Sequence, residues 1–170
     1  SNSIDGVVRL DSFPSTLTEL NLSGNAIESL ESSGNIIHMP YLRILDMSKN
    51  KLTSLPPQMD AKQLQNLIIS QNNIESIPST LFHDASSITT LIASDNKMSI
   101  PPDLSPCKML RIVDLSKNEL LNAPTVHDSL ERLILNENKI SSLSGMLSGT
   151  AKASLIELHV SDNRLNELCH

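Results

Sequence analysis

The side chains that could move a proton, attack a carbonyl or hold a metal are few and scattered. His38, His83 and His127 fall in polar stretches between apolar segments, where solvated surface positions are expected, while His159 sits inside an apolar segment. Acid–base or nucleophilic catalysis needs such a residue within reach of a nucleophile and an orienting group. No nucleophile stands at the matching position beside His159, so it reads as a surface histidine on a binding face rather than as a base. Cys107 and Cys169 are too few and too far apart for a disulfide framework or a zinc knuckle, and read as two free thiols. The phosphate-binding and zinc-hydrolase signatures GxxxxGK[ST], GxGxxG and HExxH are all absent. No catalytic residue, metal site or cofactor is expected. Asn21-Leu22-Ser23 satisfies the glycosylation sequon but lies within an apolar segment, and accidental occurrence is the favoured reading.

What the sequence does repeat is a pattern. LTELNLSGNAI (17 to 27), LRILDMSKNKL (42 to 52), LQNLIISQNNI (64 to 74), ITTLIASDNKM (88 to 98), LRIVDLSKNEL (110 to 120), LERLILNENKI (130 to 140) and LIELHVSDNRL (155 to 165) all fit LxxLxLxxNxL. Only Ala93 falls outside the large apolar set at the four apolar positions. The aligned asparagines, Asn25, Asn50, Asn72, Asn96, Asn118, Asn138 and Asn163, are spaced by 25, 22, 24, 22, 20 and 25 residues. Regular self-similarity of this length marks a chain of stacked coils, none of which can bury its apolar edge alone. LxL puts two side chains on one face of a short strand and the residue between them on the other. The recurring Asn, ending each strand where the chain turns inward, is expected to bond backbone groups of its own and the adjacent coil. A buried backbone group left unpaired costs roughly 1–3 kcal/mol, reason enough for a polar residue in an apolar stack.

Seven such motifs in register identify a resemblance: residues from about 10 to 168 resemble a leucine-rich repeat protein. The resemblance implies an α/β, right-handed solenoid with a parallel sheet on its concave face and irregular or 3-10 returns on the convex side. It is expected to form one domain over residues 1–170, with repeats starting near 17, 42, 64, 88, 110, 130 and 155, as part of a longer protein. The returns mix types. IESIPSTLFHDASSI is similar to 24-residue repeats, FPSTLTELNL and APTVHDSLERLIL to the shorter 20-residue kind. Proline after the last apolar position, as in LTSLPPQM, favours extended or short 3-10 returns. Residues 144–154 alone leave room for a helical turn. In the fourth repeat MSIP replaces LTSLP and IESIP, so the coil is expected to tighten near Ile100. The ends carry no cysteine cluster and read as bare.

Strands stacked about 4.8 Å apart would align the residues between the LxL positions into columns on the inner face. One column reads Asn21, Asp46, Ile68, Ile92, Asp114, Ile134, His159, and the column two residues earlier reads Glu19, Ile44, Asn66, Thr90, Ile112, Arg132, Glu157. Ordinary solvated repeats would be polar throughout. Here five isoleucines are interleaved with charges, enough to merge into a patch on the order of a few hundred Å², the size at which interaction sites occur. The β-propensity of isoleucine accounts for some of the five. The candidate partner-binding residues are Ile44, Asp46, Asn66, Ile68, Thr90, Ile92, Ile112, Asp114, Arg132, Ile134, Glu157 and His159. Lys97, Glu119 and Lys139 on adjacent coils read instead as exposed register-setting pairs worth about 0–1 kcal/mol each.

The function implied is non-catalytic protein–protein recognition on the concave face. Two other readings remain: a substrate- or partner-selecting domain of a larger kinase, GTPase, phosphatase or ubiquitin ligase, and a scaffold that self-associates through its uncapped ends. A net charge of −6 and a pI near 5.3 argue against nucleic acid, and no apolar run approaches the ~18 residues needed to span a bilayer, so no membrane insertion is expected. The absence of cysteine caps points to an intracellular, cytoplasmic protein.

Overall fold

In the computed structural model, residues 4–32, 36–83, 87–143, 146 and 154–166 are described. Each LxL segment forms a three-residue strand: β2 (Glu19–Asn21), β5 (Ile44–Asp46), β7 (Asn66–Ile68), β8 (Thr90–Ile92), β9 (Ile112–Asp114), β10 (Arg132–Ile134) and β11 (Glu157–His159). They build one seven-stranded parallel sheet in sequence order. Parallel neighbours require a crossover, and here each crossover is the rest of one coil. The chain is therefore a parallel solenoid with little helix. Among the described residues the returns hold two 3-10 segments, Leu10–Ser12 and Ser79–Phe82, and no α-helix. They also hold two short parallel pairings: β1 (Asp5–Arg9) with β3 (Ala26–Glu31), and β4 (Ile37–His38) with β6 (Met59–Asp60). The helical turn expected over 144–154 lies largely outside the described residues.

The apolar positions of every motif point inward and stack into one continuous core. Leu45, Leu67, Leu91, Val113 and Leu133 are fully enclosed, and each such side chain contributes about 1.5–3 kcal/mol by leaving water. The last coil has a neighbour on one side only, so Leu155, Leu158, Val160 and Leu165 remain half-buried. Phe82, on the second 3-10 segment, is the largest fully buried side chain in a core built otherwise from aliphatic residues, methionine and Cys107.

The asparagines lock the coils together. Asn72 donates through Nδ2 to the carbonyls of Met47 in the preceding coil (3.0 Å) and of Ile69 in its own (3.1 Å), while its Oδ1 accepts the N–H of Leu52 (3.0 Å). Asn50, Asn96, Asn118, Asn138 and Asn163 repeat this arrangement. Asn25 keeps the bond to its own Leu22 and accepts the N–H of Ile4. The turn feeding each asparagine is also uniform: Gly24, Lys49, Gln71, Asp95, Lys117, Glu137 and Asp162 all take the left-handed conformation, with φ between 54° and 69°. Only the first is glycine, the residue that adopts this conformation without strain.

In the shortened fourth coil Ile100 is 72% exposed, and Pro102 and Leu104 fill the interior. With one residue deleted after Met98, the side chain that aligns in sequence with Leu55 and Ile77 faces outward. One expectation needs correction: the N-terminal side is not bare. Residues 4–13 add a partial coil in which β1 pairs with β3 and Val8 and Leu10 are buried against the first repeat.

Candidate functional site: the inner sheet face

Pleating sends alternate residues of each three-residue strand to opposite sides, so the flanking positions form two parallel columns on the inner face. Sheet register aligns Asp46, Ile68, Ile92, Asp114, Ile134 and His159 in one column, and Ile44, Asn66, Thr90, Ile112, Arg132 and Glu157 in the other. All twelve reach the surface. Ile44, Ile68, Ile92, Ile112 and Ile134 are half-buried, whereas Leu67 and Leu91 beside them are enclosed. The five isoleucines run as a band across repeats two to six, with Asn66 and Thr90 filling the neighbouring places. Asn21 and Glu19 extend the columns onto the first strand and are exposed.

The polar members of the columns differ in how they are held. At the C-terminal end, Arg132 pairs with Glu157 at 2.5 Å and His159 Nε2 lies 3.5 Å from the same carboxylate. The bond from Arg132 holds the Glu157 carboxyl below its usual range, and the same bond raises Arg132. Asp46 and Asp114 are held differently. Asp46 Oδ1 accepts the N–H (2.9 Å) and hydroxyl (2.7 Å) of Ser48, and Asp114 Oδ1 accepts the same pair from Ser116 (2.9 and 2.6 Å). Asn21 makes the identical turn with Ser23. Sequence reasoning passed over this, although Asx-x-Ser recurs at 21–23, 46–48 and 114–116 and such side chains often bond the backbone two residues on. Where position 68 or 92 is isoleucine, the amide of Ser70 or Ser94 has no such acceptor.

A second feature was not anticipated. Along the N-terminal rim of strands β8 to β11 an open groove runs past Met109, Ser129 and Ile156, with Arg111 and Glu131 paired across it at 2.5 Å. Met109 and Ile156 are 57% and 77% exposed. Their signal in the sequence is an apolar residue directly beside the first leucine of its motif.

The remaining reactive groups do not converge. His38 contacts Asp60 at 2.6 Å, His127 contacts the Ser105 carbonyl at 2.8 Å, and His83 is exposed, each on a different coil. Burial pushes the Cys107 thiol up to about 12, so it stays protonated and unreactive inside the core. Among the described residues no cluster of histidine, cysteine and carboxylate could hold a metal, and no helix is long and apolar enough to cross a membrane. On the rim opposite the groove, Lys139 pairs with Glu119 (2.6 Å) and Lys117 with Glu137 (3.7 Å), both well exposed.

Comparison with known proteins agrees with this geometry. A family model described as leucine-rich repeats in two copies matches residues 15–58. Chicken (Gallus gallus) keratocan is 33% identical over 133 residues, covering 76% of this chain, and lumican from the same bird is 34% identical over 128 residues, covering 74%. The chain spans 37% of the length of each. The structure of YopM, a leucine-rich effector from Yersinia pestis, superposes with a TM-score of 0.73 at 22% identity, over 92% of this chain and 41% of that one, a likeness of fold. Keratocan and lumican are secreted proteoglycans of the extracellular matrix, which overturns the intracellular, cytoplasmic expectation. That expectation rested on missing cysteine caps, and a stack that buries a continuous aliphatic core does not need disulfides to hold it in any compartment. The chain belongs to the leucine-rich repeat family.

Proposed function

We propose that residues 1–170 act as a single non-catalytic recognition unit that binds a protein partner on the inner face of the sheet. The observation carrying this reading is the isoleucine band: Ile44, Ile68, Ile92, Ile112 and Ile134 lie half-buried on adjacent strands with no packing partner on the concave side among the described residues. Apolar anchors ringed by Asp46, Asp114, Arg132, Glu157 and His159 match the division between core and rim at protein interfaces. The leucine-rich repeat fold is commonly used to bind proteins, which supports the same reading. No convergent set of catalytic groups competes with it among the described residues. Since the chain spans only part of the length of its relatives, the unit fits equally a larger protein whose other segments act on what it holds.

The experiment is capture with the immobilised chain from lysate and secreted medium of the source cells, run beside Ile68→Glu/Ile92→Glu. A protein retained by the wild type and lost from the double variant, with the circular dichroism spectrum unchanged, is the expected result. Retention that ignores the double variant would place the binding surface elsewhere, with the rim groove at Met109 and Ile156 as the next place to mutate.

A further inference from the structure

Within the central column the register is Asp46, Ile68, Ile92, Asp114 on four consecutive strands. At about 4.8 Å per strand the two carboxylates stand about 14 Å apart, one on each side of the apolar pair. We propose, resting on the concave-face reading above, that the partner is a polypeptide whose apolar contact is bracketed by two basic side chains, one over Asp46 and one over Asp114.

Any surface broad enough to cover Ile68 and Ile92 also displaces water from the carboxylates one strand away on either side. Removing that water without supplying a counter-charge costs more than burying two half-covered isoleucines returns, so an apolar or acidic occupant would be disfavoured. No cation among the described residues neutralises them. Among the described residues neither Asp46 nor Asp114 forms an ion pair, and Arg132, the one cation in the two inner columns, is committed to Glu157. Arg43 and Lys49, on the rims of the second repeat, make no ion pair with Asp46. The serine contacts engage Oδ1 of each aspartate, orienting the carboxylate and leaving Oδ2 as an open acceptor. Arginine or lysine on the partner meets both needs, restoring hydration lost from the carboxylate and fixing register along the sheet.

The chain supplies its own control. Asn21 makes the same turn with Ser23 that Asp46 makes with Ser48, so Asp46→Asn/Asp114→Asn removes the charges and keeps the local bonds. A phage-displayed library of random peptides is selected against the whole chain, and the enriched peptides are measured against wild type, Asp46→Asn/Asp114→Asn and Ile68→Glu/Ile92→Glu, with a thermal melt of each. The expected result is enrichment of an apolar pair flanked by lysine or arginine, with binding at least about tenfold weaker to the asparagine variant and weakening with salt. Peptides that lose the isoleucine variant but bind the asparagine variant as well as wild type would overturn the basic partner and leave the concave surface standing. Peptides indifferent to both variants would overturn the concave surface itself. A selection that enriches only neutral or acidic sequences, or none, also overturns the inference.

Discussion

Two rows of side chains run the length of this solenoid a few residues apart, and they follow opposite rules. Along the asparagine row one residue type recurs in all seven motifs, and from Asn50 to Asn163 it makes the same bonds to equivalent backbone atoms. Along the central inner column the residues are Asn21, Asp46, Ile68, Ile92, Asp114, Ile134 and His159, hardly the same from one coil to the next. The backbone around both is equally regular. Stacking dictates the asparagine, because without it each coil boundary would leave buried N–H and C=O groups unpaired. Stacking dictates nothing at the inner column, whose side chains leave the sheet on the solvent side, and that freedom is where a binding specificity can be written.

The sharpest way to break the contrast is to remove one asparagine from the middle. Asn96→Ala strands the amide of Ile74 inside the stack and removes one of the two asparagine donors from each of the Ile69 and Ala93 carbonyls, which keep Asn72 and Asn118, and should lower unfolding free energy by roughly 2–3 kcal/mol in chemical denaturation. Asn163→Ala, at the half-buried last coil, should cost about 1 kcal/mol, since water can reach the groups it frees. Equal losses at the two sites would mean that the row does not work through burial. A smaller effect of opposite sign is expected at the turn before the row. Gln71→Gly relieves a left-handed residue at φ 55° and should raise stability by about 0.5 kcal/mol, where glycine ordinarily destabilises a regular element. A loss of stability there would show that the Gln71 side chain holds the turn.

Much of this was legible without coordinates, for physical reasons that differ from residue to residue. The seven asparagines and the enclosed leucines announce themselves because a stack repeats its chemistry at every coil. Ile68 was readable as a surface residue because two buried positions, Leu67 and Ile69, leave it only the other side of a strand. Ile100 was not: a deletion keeps residue types aligned while turning the side chain outward, and which atom reaches the interior is decided by the coil's path. Residues 4–13 carry no LxxLxL, so their coil rests on Val8 and Leu10, two apolar residues in an otherwise unremarkable segment. The aspartates of the inner face were found by position, but their tethering to Ser48 and Ser116 depends on side-chain rotamers. Compartment left no trace in the pattern at all, because the core that stabilises the stack is the same in either setting.

The central claim is that neighbouring residues of one strand serve different masters, the leucines the fold and the isoleucines the surface. It is tested most directly by unfolding two double variants of the same two strands side by side. Leu67→Ala/Leu91→Ala should lose on the order of 4 kcal/mol or more through enclosed cavities, while Ile68→Glu/Ile92→Glu should stay within about 1 kcal/mol of wild type. If the glutamate pair instead unfolds the chain and the alanine pair is tolerated, the isoleucines belong to the core and the inner face is not a binding surface.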